Sequence, residues 1–307
     1  MSKNAVGILA VLLLASCQPP EPPLAAGPTR AVEHAMGTSE VSLSPERVVV
    51  IDTTPLDAAL ALGIEPVGTI RYGSPPGYLG ERASDIEVVG NYNQPNLETI
   101  LRLEPDVILG AKSISEGLYP RLSRIAPTVF IEGAGYSWDW KNNFRLFAGA
   151  LGEADQAEAL LADYQQRLTD LKTSVAPAPE TLTVSVLVTA PDGLVAHTLT
   201  SFSGSILQEV GFARNAAQAV DEQFFIRLSR EDLAGADGDV VFLIHQPDWN
   251  STPKEDFMRD PLWSKLGAVE REAVCEVAGE VWGSGRSLLA AHQVLTDIET
   301  CLTELEL

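Results

Sequence analysis

The stretch Asn96-Leu97-Glu98-Thr99-Ile100-Leu101-Arg102-Leu103-Glu104-Pro105-Asp106-Val107-Ile108-Leu109-Gly110 decides how this chain is read. Asn96 is a good helix N-cap, and Leu97, Ile100, Leu101 and Leu103 give an apolar face. Pro105 stops that helix before the buried strand opened by Asp106. The pattern occurs twice. Ser229-Arg230-Glu231-Asp232-Leu233 leads to Asp239-Val240-Val241-Phe242-Leu243, with cap, glutamate and strand-opening aspartate at the same spacing. A repeat this far apart in sequence is too long for a solenoid unit and predicts two duplicated lobes.

Outward from the first copy, strands and helices alternate. Arg47 to Ile51 is a continuous β-branched run, as a strand buried on both faces requires. Asp52-Thr53-Thr54-Pro55 opens a helix that ends at Gly63. Short strands are expected over Pro66–Ile70, Glu87–Gly90 and Thr128–Ile131. The alternation predicts an α/β fold in which each lobe is a mostly parallel sheet flanked by helices. Between the two copies, Glu153 to Lys172 carries Ala157, Leu160, Leu161, Tyr164, Leu168 and Leu171 at helical spacing with no internal proline or glycine. A helix of that length is a rod of about 30 Å, and its position makes it the rigid connector. The second lobe restarts with strands at Thr183–Val188 and Leu194–His197 and closes on an amphipathic helix from Ser287 to Leu305. The expected organisation is thus a signal peptide (1–17), a flexible tether (18–45), an N-terminal lobe (46–152), a connecting helix (153–176) and a C-terminal lobe (177–307).

The N-terminus reads as an export signal. Lys3 precedes an apolar run, Val6 to Ala15, too short to span a bilayer. It ends Leu14-Ala15-Ser16-Cys17, which resembles a bacterial lipoprotein processing site with Cys17 as the lipidated residue. The Pro-rich stretch that follows suits a tether. Export places Cys275 and Cys301 in an oxidising compartment, where they either pair or remain buried thiols. The 307 residues carry 42 acidic and 21 basic side chains, a net charge of −21. That balance offers no basic face for a nucleic acid.

No catalytic pattern is present: there is no nucleophile elbow, no phosphate-binding loop and no His-Glu-x-x-His. The four histidines, His34, His197, His245 and His292, are scattered, so no dedicated metal site and no intrinsic cofactor is expected. In open α/β sheets ligands bind beyond the carboxyl ends of the strands. Residues at those ends, or just before the second repeat, are Arg71, Tyr72, Lys112, Trp138, His197, Phe225, Arg227, Trp249, Trp282 and Arg286. Aromatic walls with a few cations suit a bulky, partly apolar, anionic ligand. Trp140 and Phe224 are expected in the core, as is His292. Glu98 and Glu231 each have a local reason to exist, the positive end of a helix dipole. Their recurrence in both lobes also suits a two-fold symmetric docking partner.

Taken together, Val48-Val49-Val50-Ile51-Asp52, the run from Leu62 to Gly68, Val89-Gly90-Asn91, the Asn96–Ile108 stretch, Leu228 to Glu231, Trp263 and the Trp282…Leu295 ending resemble the periplasmic substrate-binding proteins of the helical-backbone class. These serve ATP-driven importers of ferric siderophores, haem and cobalamin. The resemblance implies two α/β lobes joined by one long helix, with a ligand in the gap. It implies that Glu98 and Glu231 dock a dimeric permease, that the protein is a monomer anchored outside the cytoplasm through Cys17, and that it is not an enzyme. Iron would enter only as part of the bound siderophore. A haem or cobalamin ligand, with Tyr72, Tyr136, His197 or His245 as axial candidates for haem, is the alternative within the family. An α/β enzyme using the same cleft is the alternative outside it.

Overall fold

The computed structural model describes residues 27–71, 74–133, 139–176, 178–190, 193–229, 232, 235, 237–245, 258–259 and 261–307. Its first element is an antiparallel hairpin, β1 (Thr29–His34) and β2 (Gly37–Ser42). The hairpin corrects the expected tether, which was drawn through residue 45. Val32 and Val41 are buried beneath it, the Ala35 amide donates to Phe130 O (2.9 Å), and Ser39 Oγ donates to Thr128 O (2.9 Å). This segment is part of the N-terminal lobe. Val32 and Val41 on its strands, with Ala35 and Met36 at its turn, anchor it, too weak an alternation to stand out in sequence.

The N-terminal lobe holds a five-stranded sheet of order β5-β4-β3-β6-β7. Its strands are β3 (Val48–Val50), β4 (Gly68–Thr69), β5 (Glu87–Val88), β6 (Val107–Ala111) and β7 (Thr128–Ile131), all parallel. Helix α1 (Thr53–Ala61) leaves β3, and α2 (Leu97–Arg102) precedes β6. The C-terminal lobe holds a six-stranded sheet of order β11-β9-β8-β12-β13, with β10 pairing to β8. These are β8 (Thr183–Ala190), β9 (Gly193–His197), β10 (Ala213–Arg214), β11 (Phe225–Leu228), β12 (Val240–His245) and β13 (Val274–Ala278). Its centre is parallel, while β9 runs antiparallel to both β8 and β11.

The duplicated stretch does equivalent work in both lobes. Asn96 Oδ1 accepts from the Glu98 and Thr99 amides at 3.1 Å, capping α2. Asp106 then turns its carboxylate to the Glu46 and Arg47 amides (2.8 and 2.9 Å), fixing where β3 starts beside β6. In the second copy Asp239 accepts from the Thr183 amide (2.8 Å), fixing the start of β8 beside β12. Ser229 Oγ donates to Asp232 (2.6 Å). Arg230, Glu231 and Leu233 lie outside the described residues. Each strand-opening aspartate satisfies amides that begin the neighbouring strand, which sets register.

The connecting helix runs Ala154–Ser174 and is held from both sides. Tyr164, fully buried, meets Trp140 of the helix Trp140–Leu151 edge-to-face at 5.0 Å, and Trp140 meets Phe202 of the second lobe at 6.0 Å. Lys141 pairs with Glu209 at 2.7 Å, and Arg167 donates to His292 O (2.9 Å) and pairs with Glu299 (3.0 Å). One apolar core continues through α1, the connecting helix and the C-terminal helix Leu288–Glu304, so the rod is cemented into both lobes. The hydrophobic area joined in this way resists independent lobe movement.

Cys275 and Cys301 form a disulfide with Cα atoms 5.9 Å apart, tying edge strand β13 to the C-terminal helix.

Candidate functional site

Strand ends place the site. Where β3 gives way to α1, Asp52 caps the helix, its carboxylate accepting from the Thr54 amide at 2.9 Å. Its second oxygen is buried without a hydrogen-bond partner. Burial raises its pKa, and the positive charge of Arg286 acts against that rise. Thr53 and Tyr92 join their hydroxyls beside it. Burial, then the negative charge of Asp52, pushes Tyr92 up.

From the other lobe comes Arg286, only 7% exposed, in the left-handed region with φ +58°. Its Nε donates to Gly283 O at 3.2 Å. The same guanidinium acts electrostatically on Asp52 and Tyr92 of the first lobe and on His197 of the second. One cation therefore influences titratable groups from both lobes.

His197 closes β9, with Nδ1 and Ser203 Oγ 2.9 Å apart. Burial lowers its pKa to about 4, helped by the charges of Arg214 and Arg286, so the ring is neutral near pH 7. Register across β9 and β11 sets Phe225 opposite His197 and Arg227 opposite Val195, so these side chains share one sheet face. The other face, with Leu194, Ala196 and Leu228, packs into the core. Phe225 is 45% exposed, and Phe224, expected in the core, is 41% exposed. Phe225 lies on the open face of edge strand β11, and Phe224 sits just before that strand begins, where no sheet face covers it.

The remaining predicted residues divide. Arg71 Nη2 donates to Ala83 O (2.6 Å), bracing the loop after β4. Lys112 pairs with Glu132 at 2.6 Å, which raises its pKa. Trp282 does not line the gap. β13 ends at Ala278, and the helical turn Gly279–Trp282 folds the indole back onto Phe242 of β12, with centroids 4.7 Å apart. Its Nε1 donates to Asp297 (2.7 Å) and it is 0% exposed. Tyr72, Trp138, Trp249, Glu231 and Cys17 lie outside the described residues. Tyr136 does too. Glu98 is exposed in the first turn of α2, near exposed Leu101.

Two residues of this region were not singled out from sequence. Arg214 in β10 donates to His197 O (2.7 Å) and Gln218 Oε1 (3.0 Å), while its Nε and Nη1 are buried without partners. Burial lowers its pKa to about 10. Its only sequence signal is a lone cation following the apolar stretch Val210–Ala213. Asp57, in the apolar middle of α1, carries no signal beyond being an acid on a buried face.

A cavity of about 470 Å³ opens elsewhere, beside β13 and the C-terminal helix, lined by Glu276, Glu280, Asp297 and Glu304. None of the predicted ligand residues lines it. Among the described residues no group of three or more His, Cys, Asp or Glu is placed to hold a metal ion, and no helix is long and apolar enough to cross a membrane.

Two α/β lobes, each a largely parallel sheet flanked by helices, cemented by one long helix, define a bilobal solute-binding protein. Residues 48–279 match the periplasmic binding protein family, and the chain belongs to it. The chain is 34% identical to the Bacillus subtilis probable siderophore-binding lipoprotein YfiY, over 96% of this chain and 95% of that one. It is 30% identical to the achromobactin-binding periplasmic protein of Dickeya dadantii, over 83% and 85% of the two chains. The structure of Staphylococcus aureus SirA complexed with staphyloferrin B superposes with a TM-score of 0.77 at 26% identity, covering 90% of this chain and 99% of that one.

Proposed function

We propose that this protein is an exported, lipid-anchored binding protein that captures a ferric siderophore in the gap between its lobes and hands it to an ABC importer. The observation that carries the reading is Arg286, buried at the gap and acting on Asp52 and Tyr92 from one lobe and His197 from the other. A cation held there by the fold favours an anionic ligand spanning both lobes, and Arg71, Lys112 and Arg227 are proposed to add to the positive charge it meets. Phe225 supplies an apolar wall, and Tyr72, Trp138 and Trp249 are proposed to complete it. The relatives named for siderophores supply the ligand class. Iron arrives already chelated, so no protein side chain need ligate it.

Glu98 and Glu231 are proposed to dock one subunit each of a dimeric permease, with the protein acting as a monomer. Cys17 is proposed as the lipidated residue holding it on the outer side of the membrane.

Titration of the purified protein with ferric siderophores, haem and cobalamin, followed by tryptophan fluorescence, tests the reading. Saturable quenching by at least one ferric siderophore is expected. Quenching by haem or cobalamin alone would replace the ligand while keeping the family.

A further inference from the structure

The C-terminal helix Leu288–Glu304 begins without a cap of its own. Ser287 occupies the N-cap position in extended conformation, but its side chain makes no capping bond. An N-cap side chain ordinarily accepts from the second and third helical amides, here Leu289 and Ala290. Both are taken instead by Asp57, which belongs to α1 of the other lobe. Asp57 Oδ1 accepts from the Leu289 amide and Oδ2 from the Ala290 amide, each at 2.9 Å. Asp57 is 0% exposed. The hydroxyls of Tyr78 and Ser287 approach the carboxylate but fall short of hydrogen-bond geometry.

The position of this contact matters more than its strength. α1 begins at Asp52 and Thr53, on the gap. The N-cap of the C-terminal helix, Ser287, directly follows Arg286, also on the gap. The carboxylate thus joins, from behind, the two helices whose first residues face each other across the ligand site. Arg286 sits in a left-handed conformation that L side chains adopt rarely.

We propose that Asp57 is a positioning residue for the ligand site: by capping the C-terminal helix across the lobe boundary it sets where Arg286 stands between the lobes. The inference rests on the reading of the gap as the ligand site. A residue that only stabilised the helix would be replaceable by a cap from within the same lobe. A positioning residue would not be, because a local cap frees the helix from α1.

The test moves the carboxylate. D57A removes the cap, D57N keeps the side-chain shape with one acceptor, and D57A/S287D returns a cap to the helix from its own N-cap position. Three quantities are measured on the full mature chain: melting temperature, affinity for ferric citrate by tryptophan quenching, and the pKa of His197 by NMR titration. The last responds to the Arg286 charge without any ligand, burial and Arg214 being the larger influences that these variants leave in place. D57A/S287D is expected to recover the melting temperature lost in D57A. Its His197 pKa is expected to rise above wild type as Arg286 withdraws, and its ferric citrate affinity to fall about tenfold, the scale of one charge-assisted contact. D57N is expected to show both shifts in smaller degree. Wild-type His197 titration in D57N and in the double variant would overturn the proposal, whatever the ligand. If wild-type protein binds no ferric siderophore, the proposed function fails, while the His197 titration still decides the role of Asp57.

Discussion

Removing the disulfide is the perturbation whose size the structure sets most directly. Cys275 and Cys301 are separated by 26 residues, a loop holding the Gly279–Trp282 turn, Arg286 and most of the C-terminal helix. Cross-linking such a loop lowers the entropy of the unfolded chain by about 12 cal/mol/K, or about 3.5 kcal/mol at 25 °C. For a protein of this size that corresponds to a fall in melting temperature of about 7 °C. The bridge joins edge strand β13 to a helix already packed on the common core, so folded contacts change little when it is cut. Thermal unfolding by circular dichroism of wild type, wild type with a reductant, and Cys275→Ala/Cys301→Ala measures the effect. The reduced wild type and the double variant are expected to melt together, well below the oxidised protein. A double variant melting within about 1 °C of wild type would refute the reasoning, because the loop-entropy effect does not depend on folded contacts.

Alanine at both Glu98 and Glu231 is expected to abolish importer-dependent uptake while ligand affinity stays unchanged. Uptake at the wild-type rate would remove the docking role. His197 folds with its pKa lowered from 6.5 to about 4, so the unfolded chain binds the extra proton first. Its contribution to stability is whole above pH 6.5 and is lost as pH falls towards 4. His197→Gln should therefore gain stability relative to wild type across that window in denaturant titrations. Buried Asp57, raised to about 7, has the opposite sign, its cost being relieved as pH falls below 7. Trp282→Phe keeps the ring stacked on Phe242 but removes the donor to Asp297 Oδ2 while Gln293 still serves Oδ1, which should cost about 1 kcal/mol by urea unfolding. Ligand affinity should remain, since Trp282 is walled off from the gap.

The architecture was legible because it is written twice. Asn96 and Asp106 in one lobe, Ser229 and Asp239 in the other, stand at the same spacing around a helix start and a strand start, which sequence shows directly. The connecting helix was legible from its apolar spacing. The site was less so, because it is assembled from strand ends whose direction sequence does not fix. Trp282 looked like a residue past a strand end, yet one helical turn aims it inward. Phe224 looked like core, yet it sits just before an edge strand, where no sheet face covers it. Arg214 and Asp57 act through partners distant in sequence, His197 and the Leu289 and Ala290 amides. No short-range pattern announces such pairs. The β1–β2 hairpin was hidden by its short buried face, with one buried apolar side chain per strand, Val32 and Val41.

The central claim is that a pre-chelated ferric ion rests between the lobes without a protein ligand. Anomalous diffraction at the iron edge, from crystals grown with a ferric siderophore that quenches the tryptophans, tests it most directly. The account predicts one iron peak between the two sheets, its coordination filled by siderophore oxygens, with Arg286 contacting the chelate. An iron ligated by histidine or carboxylate side chains of the protein, or lying outside the gap, would contradict it.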